Sequence, residues 1–437
     1  MSAVRHWSAS VFLLVFSATC ACPQAATSPK KRPPSTQKLS NPLNDLLDEA
    51  QRSIERQDFE AAIAPLEKVI TEKPDFAYGH FQLGYVFTAL KRWEDARREY
   101  QRATELDPKM AEAYLNLGLV LLGREPAAAV APLRKAVELL PSQSRPRYLL
   151  GVALEQAGDL RGAAEAYKAA AALDPRDFET RIALARVLLG EKQYAEAEAK
   201  FREALAMQPD SVGGRLGLAQ ALDAQHKPEA ADAYKSYLEV QPSDREARRR
   251  LARFLFDAKQ YDAAIAELDR VDAAPGPDVA SLALRADIQV VQLRWDAAVA
   301  TLKRAIALAP DRLDLREGLG NTYLQKKDYA AAEKELEAVL RADGKNLAAW
   351  KDLSTVHYLE GNCPAALKML DELERREKLN AGAWFMRATC YDKLKVVPEA
   401  ISAYEKFREV DHGQNANQDW QAEQRIKTLR RMLEKHH

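Results

Sequence analysis

The residue types that usually carry catalysis do not occur in any catalytic spacing in this chain. The 437 residues contain no Gly-x-Ser-x-Gly, no His-Glu-x-x-His and no Gly-x-x-x-x-Gly-Lys-Ser/Thr phosphate loop. The seven histidines lack the spacing to cysteines or carboxylates that a metal site requires. Acidic residues alternate with basic ones, as in Glu333-Lys334-Glu335, which is typical of a solvated helix surface with supporting ion pairs. We therefore expect no enzymatic activity, no metal and no cofactor.

Eight prolines divide the middle of the chain at intervals of 33 to 35 residues. They are Pro74, Pro108, Pro141, Pro175, Pro209, Pro242, Pro277 and Pro310. Small and large side chains recur at fixed offsets between them, such as Gly84, Ala96 and Tyr100 in one interval. Small residues allow two helices to approach closely, and large residues fill the space beside them. Each interval therefore predicts a helical hairpin that needs its neighbours to complete its core.

This pattern resembles the tetratricopeptide repeat family, and the resemblance covers roughly Leu43 to Asp411. It implies an all-α fold, a right-handed α-solenoid of about eleven helix-turn-helix repeats. Arg285 and Gln289 occupy normally apolar positions in the eighth repeat, so we expect the packing to be least regular there. The solenoid is assigned to residues 43–411, and residues 412–437 are predicted to form a capping helix and a tail.

The amino terminus predicts export. Residues 1–22 carry the apolar run Val11–Phe16, which is too short to span a bilayer but suits a signal peptide. Cleavage before Cys22, or less well before Cys20, resembles processing of a bacterial lipoprotein; ordinary cleavage with release and an uncleaved anchor are the alternatives. Residues 23–42 are rich in Pro, Ser and Lys and predict a disordered linker. We expect a periplasmic or membrane-tethered bacterial lipoprotein, or else a secreted protein.

The balance of charge bears on which partners the protein binds, and the chain length bears on the number of its domains. Sixty-four basic residues balance 64 acidic ones, so nothing favours the electrostatic binding that nucleic acids require. Contact with a membrane is expected only through an amino-terminal lipid. Because each repeat contacts only its neighbours, the array has no size limit and is expected to form one elongated domain.

The family resemblance implies a concave groove lined by the first helix of each repeat, which commonly holds an extended peptide or a partner's helix. The groove positions are occupied by the apolar residues Tyr78, Phe81, Tyr85, Leu115, Leu119 and Tyr148 and by the cations Arg186, Arg249 and Arg253. An exposed apolar patch marks an interaction site, and arginines clamp carboxylates. Alternatively, the apolar side chains pack against the following helix or under the linker, and nearby Glu179 and Glu246 neutralise the cations.

Cys363 and Cys390 are the two cysteines outside the amino-terminal leader. In repeat coordinates they fall on neighbouring helices of the tenth and eleventh repeats. A disulfide between them would contribute roughly 3 kcal/mol by constraining the unfolded chain; the alternative is two buried thiols that pack as small hydrophobic groups.

These observations predict a non-catalytic scaffold or assembly factor of the cell envelope that binds a protein or peptide partner. An accessory subunit that positions an envelope enzyme and a self-assembling structural module are the alternative interpretations. The oligomeric state is left open.

Overall fold

The computed structural model describes residues 41–272, 276 and 278–435. Within these residues the chain forms 23 helices and no strand, which confirms the all-α solenoid class. The helices follow one another as eleven pairs and a last unpaired helix. The predicted signal peptide, the cleavage sites at Cys20 and Cys22, and residues 23–40 of the predicted linker lie outside the described residues.

The chain divides into two compact units between Gln241 and Pro242, although the sequence predicts one continuous domain. Pro242 is in phase with the other prolines, so the repeat period carries no sign of this division. Unit 1 contains α1 (Asn41–Glu55), α2 (Phe59–Glu72), α3 (Ala77–Ala89), α4 (Trp93–Leu106), α5 (Ala111–Leu122), α6 (Pro126–Leu139), α7 (Ser144–Gln156), α8 (Leu160–Leu173), α9 (Phe178–Gly190), α10 (Tyr194–Met207), α11 (Val212–Ala224) and α12 (Ala230–Val240). Unit 2 contains α13 (Arg245–Asp257), α14 (Tyr261–Asp272), α15 (Val279–Val291), α16 (Trp295–Leu308), α17 (Leu313–Lys326), α18 (Tyr329–Ala342), α19 (Leu347–Glu360), α20 (Cys363–Glu374), α21 (Ala381–Lys393), α22 (Val397–Asp411) and α23 (Ala416–Lys435).

Small residues let the two helices of a pair approach each other. A Cβ added to Gly84 would lie 2.8 Å from the ring of Tyr100, and one added to Gly151 would lie 2.6 Å from the ring of Tyr167. Both tyrosines are fully buried. The recurrence of glycine and a large residue in the sequence therefore reflects direct contact between paired helices.

Short polar residues begin many of the helices. Asp159, for example, accepts a hydrogen bond from the backbone N–H of Gly162 at 2.9 Å, and Asn380 accepts one from Ala383 at 2.9 Å. Such caps satisfy N–H groups that have no partner inside the helix.

The carbonyl at the proline position is a hydrogen-bond acceptor in several repeats. A side chain six residues later donates to it: His80 lies 3.1 Å from the oxygen of Pro74, Arg215 Nε lies 2.9 Å from that of Pro209, and Trp350 Nε1 lies 3.0 Å from that of Gly344. The proline thus ends one repeat, and its carbonyl anchors the first helix of the next.

The last helix covers the carboxyl-terminal end of unit 2. Ala422, Ile426 and Leu429 of α23 are buried in one cluster with Phe407. Trp420, nearer the start of the same helix, is 62% exposed. None of the described helices combines the length and the apolar character needed to cross a bilayer.

Candidate partner-binding surface

The first helices of successive repeats lie beside one another within unit 1. Helix α3 contacts α5, α5 contacts α7, and α9 contacts α11, in addition to the contacts that each makes with its own second helix. Side chains on this face of α3, α5 and α7 therefore form one surface across three repeats, and those of α9 and α11 adjoin each other in the same way.

Three of the predicted groove residues are buried rather than exposed. Tyr78, Phe81 and Leu115 are 7%, 3% and 2% exposed. The ring of Phe81 lies between those of Tyr78 and Tyr100, with centroid distances of 6.2 and 5.9 Å, and Gln82 Nε2 donates to the Tyr78 hydroxyl at 2.7 Å. The expectation of exposure is therefore wrong for these three residues, because they pack into the core of unit 1.

The other three apolar groove residues, Tyr85, Leu119 and Tyr148, are half-buried and pack against the same core. Val152 and Ile182 have the same burial and lie on α7 and α9. We call these five side chains on α3, α5, α7 and α9 the apolar stripe. Sequence analysis missed Val152 and Ile182, although the register contains them: they follow Leu119 and Tyr148 by one repeat period.

A charged network borders the apolar stripe. Glu155 accepts hydrogen bonds from Arg186 Nε and NH2, both at 2.9 Å, and from the Tyr167 hydroxyl at 2.9 Å. Burial, followed by the negative charge of Glu179, raises the pKa of nearby Tyr148. Arg186 is thus neutralised by Glu155, whereas the sequence placed Glu179 beside it.

The two other predicted cations lie in unit 2. Arg249 contacts Glu246, as the alternative interpretation expects, and its NH1 also lies 3.0 Å from Asp278. Arg253 is exposed, forms no ion pair with a described residue, and lies 5.7 Å from the ring centroid of Phe256. Burial raises the pKa of Asp287 on the next first helix, and Arg253 opposes that rise. Arg253 thus differs from Arg186 and Arg249, each of which pairs with a carboxylate.

Cys363 and Cys390 face each other across the boundary between α20 and α21 as free thiols that are 2% and 0% exposed. The predicted disulfide is therefore not formed in the structure. Burial, assisted by a hydrogen bond with Cys363, raises the pKa of the Cys390 thiol. A raised pKa keeps the thiol from forming the thiolate that oxidation requires.

No group of histidine, cysteine and carboxylate side chains with the geometry of a metal site occurs among the described residues. The polar groups of this surface are instead engaged in pairs with one another, as Arg186 is with Glu155. The arrangement offers surface contacts to a partner rather than a cluster of reactive groups.

Comparison with known proteins identifies the repeats. One family model described as tetratricopeptide repeat matches residues 47–100, 124–178, 148–212, 182–230 and 351–413. A second matches residues 228–288 and 293–355, and a model described as TPR repeat matches residues 84–123.

Individual relatives are distant. Superkiller complex protein 3 of Mus musculus is 26% identical over 272 residues, which are 59% of this chain and 17% of that protein. The human protein O-mannosyl-transferase TMTC3 is 23% identical over 341 residues, which are 72% of this chain and 37% of that protein. The chain thus spans well under half the length of these two relatives.

Among solved structures, pilF of Pseudomonas aeruginosa is 26% identical, with 48% of this chain and 96% of that chain covered and a TM-score of 0.39. The family models together extend over nearly all of the described repeats. The chain belongs to the tetratricopeptide repeat family, whose fold generally serves as a non-catalytic scaffold for protein interactions.

Proposed function

We propose that unit 1 binds an apolar segment of a protein partner along the apolar stripe. The observation that carries this proposal is the repetition of half-buried apolar side chains on four successive first helices. Each side chain is held by the core on one side and is free to be covered on the other.

The geometry of the apolar stripe favours a linear occupant. A segment lying across four first helices would meet one or two apolar anchors at each of them, as an extended peptide or one face of a helix does. Burial of apolar surface would provide most of the binding free energy, at roughly 25 cal/mol per Å² before the cost of ordering the segment. The pair of Arg186 and Glu155 at the border would set the register of polar groups in the occupant.

Selection of random peptides displayed on phage against the purified chain tests this function. We expect apolar peptides to be enriched and their binding to be lost when Leu119 and Val152 are both replaced by serine. A pair of exposed apolar residues supplies the matched control: Leu173 and Met207 end two second helices of unit 1 and are 43% and 38% exposed. Replacing both with serine should leave peptide binding unchanged.

Two outcomes would contradict the proposed function. Equal binding of the enriched peptides by the Leu119→Ser, Val152→Ser chain would show that they bind elsewhere. If no apolar peptide were enriched on the wild-type chain, the proposal that the apolar stripe binds partners would be wrong. Circular dichroism of each variant establishes that the compared proteins are equally folded.

We also propose that the protein acts in the cell envelope as an assembly scaffold after export. The apolar run Val11–Phe16 and the small residues before Cys22 support this proposal. The mass of the mature amino-terminal peptide tests it. A diacylated Cys22 or Cys20 would identify a tethered lipoprotein, a shortened but unmodified chain would identify a released protein, and an intact Met1 would contradict processing.

A further inference from the structure

Two repeats of unit 2 carry an arginine where their neighbours carry a buried leucine. Leu319 and Leu353 occupy this position on α17 and α19 and are 2% and 3% exposed. Arg285 on α15 precedes Leu319 by 34 residues, and Arg387 on α21 follows Leu353 by 34 residues. Sequence analysis noted Arg285 but not Arg387.

Both arginines make the same contacts. Arg285 NH2 lies 2.7 Å from Asp269 and 3.0 Å from Asp272, on the preceding helix α14. Arg387 NH2 lies 2.8 Å from Asp371 and its NH1 lies 2.6 Å from Glu374, on the preceding helix α20. The carboxylates are 16 and 13 residues before the arginine in each case. A charged clamp thus replaces apolar packing at both repeat boundaries.

The Arg387 clamp interrupts the core of unit 2. One large apolar cluster extends from Leu282 to Val356, and another extends from Ala388 to Leu429. Among the described residues, two small clusters join α20 to α21: one contains Cys363 and Cys390, and the other contains Leu373 and Ala383. Arg387 lies between Ala383 and Cys390 along α21.

An open cleft of about 360 Å³ also lies at this boundary, between α19, the end of α20 and α21. Lys351, Tyr358, Leu373, Phe385 and Met386 are among its lining residues. Because the cleft is open, solvent reaches the edge of this boundary.

We propose that the boundary between α20 and α21 is a seam at which α21, α22 and α23 detach together from the rest of unit 2 without global unfolding. The side chain of Arg387 is 7% exposed and its Nε has no hydrogen-bond partner. Opening the seam restores water to this cation, whereas opening a boundary held by leucine exposes apolar surface. The Arg387 clamp therefore makes this boundary easier to open than one held by leucine, and the free energy of opening is lower than that of global unfolding.

The two buried thiols report on the seam. Cys363 and Cys390 lie on opposite sides of it and are almost inaccessible when it is closed. Alkylation of the full mature chain by N-ethylmaleimide, followed by mass spectrometry of the two peptides, measures the opening. We expect both thiols to react in the absence of denaturant, at rates that depend on urea much less steeply than global unfolding does.

Arg387→Leu is the decisive variant. Asp371 and Glu374 are 53% and 45% exposed, so removal of Arg387 leaves them hydrated and does not strand a buried charge. Leucine also restores the residue type found at 319 and 353. We expect alkylation of both thiols to slow by about tenfold or more, because leucine adds apolar burial at this boundary while the hydrated carboxylates lose little.

Arg285→Leu is the matched control. It replaces arginine by leucine at the other clamp, which lies away from Cys363 and Cys390. We expect the alkylation of both thiols to be unchanged in this variant. Unchanged or faster alkylation in Arg387→Leu would overturn the proposal. So would wild-type alkylation with the full urea dependence of global unfolding, and that measurement decides the question even if Arg387→Leu does not fold.

Discussion

The turn between the two helices of a pair places a residue in the left-handed region in ten repeats of the described chain, and only Gly158 and Gly361 supply glycine there. Most of the others are lysines, such as Lys192 with φ of 62°. Leu293, with φ of 58°, carries a branched side chain that is 69% exposed. The left-handed conformation costs a residue with a Cβ roughly 1–2 kcal/mol, and exposure means that Leu293 recovers little of this through packing.

We therefore expect Leu293→Gly to raise the free energy of unfolding by about 1 kcal/mol, although glycine also gives the unfolded chain more freedom. Urea denaturation followed by circular dichroism measures the change. Leu308→Gly is the control, because Leu308 is also exposed, at 43%, but ends a regular helix; there glycine should be destabilising by about 1 kcal/mol. A lower midpoint for Leu293→Gly would contradict the argument.

The carboxylate of Glu198 accepts several hydrogen bonds and thereby stabilises the folded chain. Its Oε2 accepts from Lys227 Nζ at 2.7 Å and from Gln225 Nε2 at 2.9 Å, and its Oε1 accepts from Arg202 NH2 at 3.0 Å. The hydrogen bond from Lys227, opposed by burial and supported by the other donors, lowers the pKa of Glu198 from 4.5 to about 2. Because the pKa is lower in the folded state, the stabilisation is complete above the unfolded value and is lost as the pH falls towards about 2.

We expect Glu198→Gln to reduce the free energy of unfolding by about 1–3 kcal/mol at pH 7. The difference from wild type should narrow as the pH is lowered from about 4.5, since Glu198 of the unfolded wild-type chain then gains a proton while the folded chain keeps its carboxylate ionised until about pH 2. Thermal unfolding at a series of pH values measures both quantities. Glu165→Gln is a suitable control, because its contact with Arg161 is long, at 3.8 Å, and both side chains are exposed. A difference that stays constant down to pH 3 would contradict the assignment.

At the scale of the helix pair, the close approach of Gly151 to Tyr167 predicts that a larger side chain at residue 151 is destabilising. The ring of Tyr167 is fully buried, and a Cβ on residue 151 would lie 2.6 Å from it. We expect Gly151→Ala to cost about 1–3 kcal/mol, because the buried ring cannot move without opening the pair. Denaturation in urea measures this cost.

Gly213 provides the comparison for Gly151, since it also lies in a first helix but a Cβ there would meet nothing within 4 Å. Gly213→Ala should be neutral or stabilising by up to about 1 kcal/mol, as the helix preference of alanine dictates. Equal effects of the two substitutions would show that the helix pair does not depend on the close approach.

The helix pairs were predictable from the sequence, because pairing depends on residue types at fixed offsets, such as Gly84 and Tyr100. The burial of the groove residues was only partly predictable. Position in the repeat places Phe81 and Tyr85 on the same helix, but burial depends on the neighbouring side chains: Phe81 packs on Tyr100, whereas Tyr85 stays half-buried. Ion-pair partners are harder still, because the carboxylates that contact Arg387 lie on another helix, 16 and 13 residues earlier in the chain.

At the scale of the whole chain, the repeat period does not reveal where cooperative packing is divided. Pro242 is in phase with the prolines on either side of it. The chain nevertheless divides into two units between Gln241 and Pro242. Two exchanges of leucine for arginine, at 285 and 387, change the boundaries within unit 2 without disturbing the period.

Unit 1 should therefore fold by itself. A continuous core cluster extends from Leu43 to Ala221 within it, and a repeat array needs only contacts between neighbours, given about three repeats or more. We expect residues 41–241 produced alone to unfold cooperatively in urea and to bind the same apolar peptides as the full chain. Residues 41–224, which lack α12, serve as the comparison. Because the face of α11 that α12 covers is then exposed, this fragment should be less stable than residues 41–241 and more prone to associate. An unfolded fragment 41–241 would show that the core of unit 1 depends on the rest of the chain.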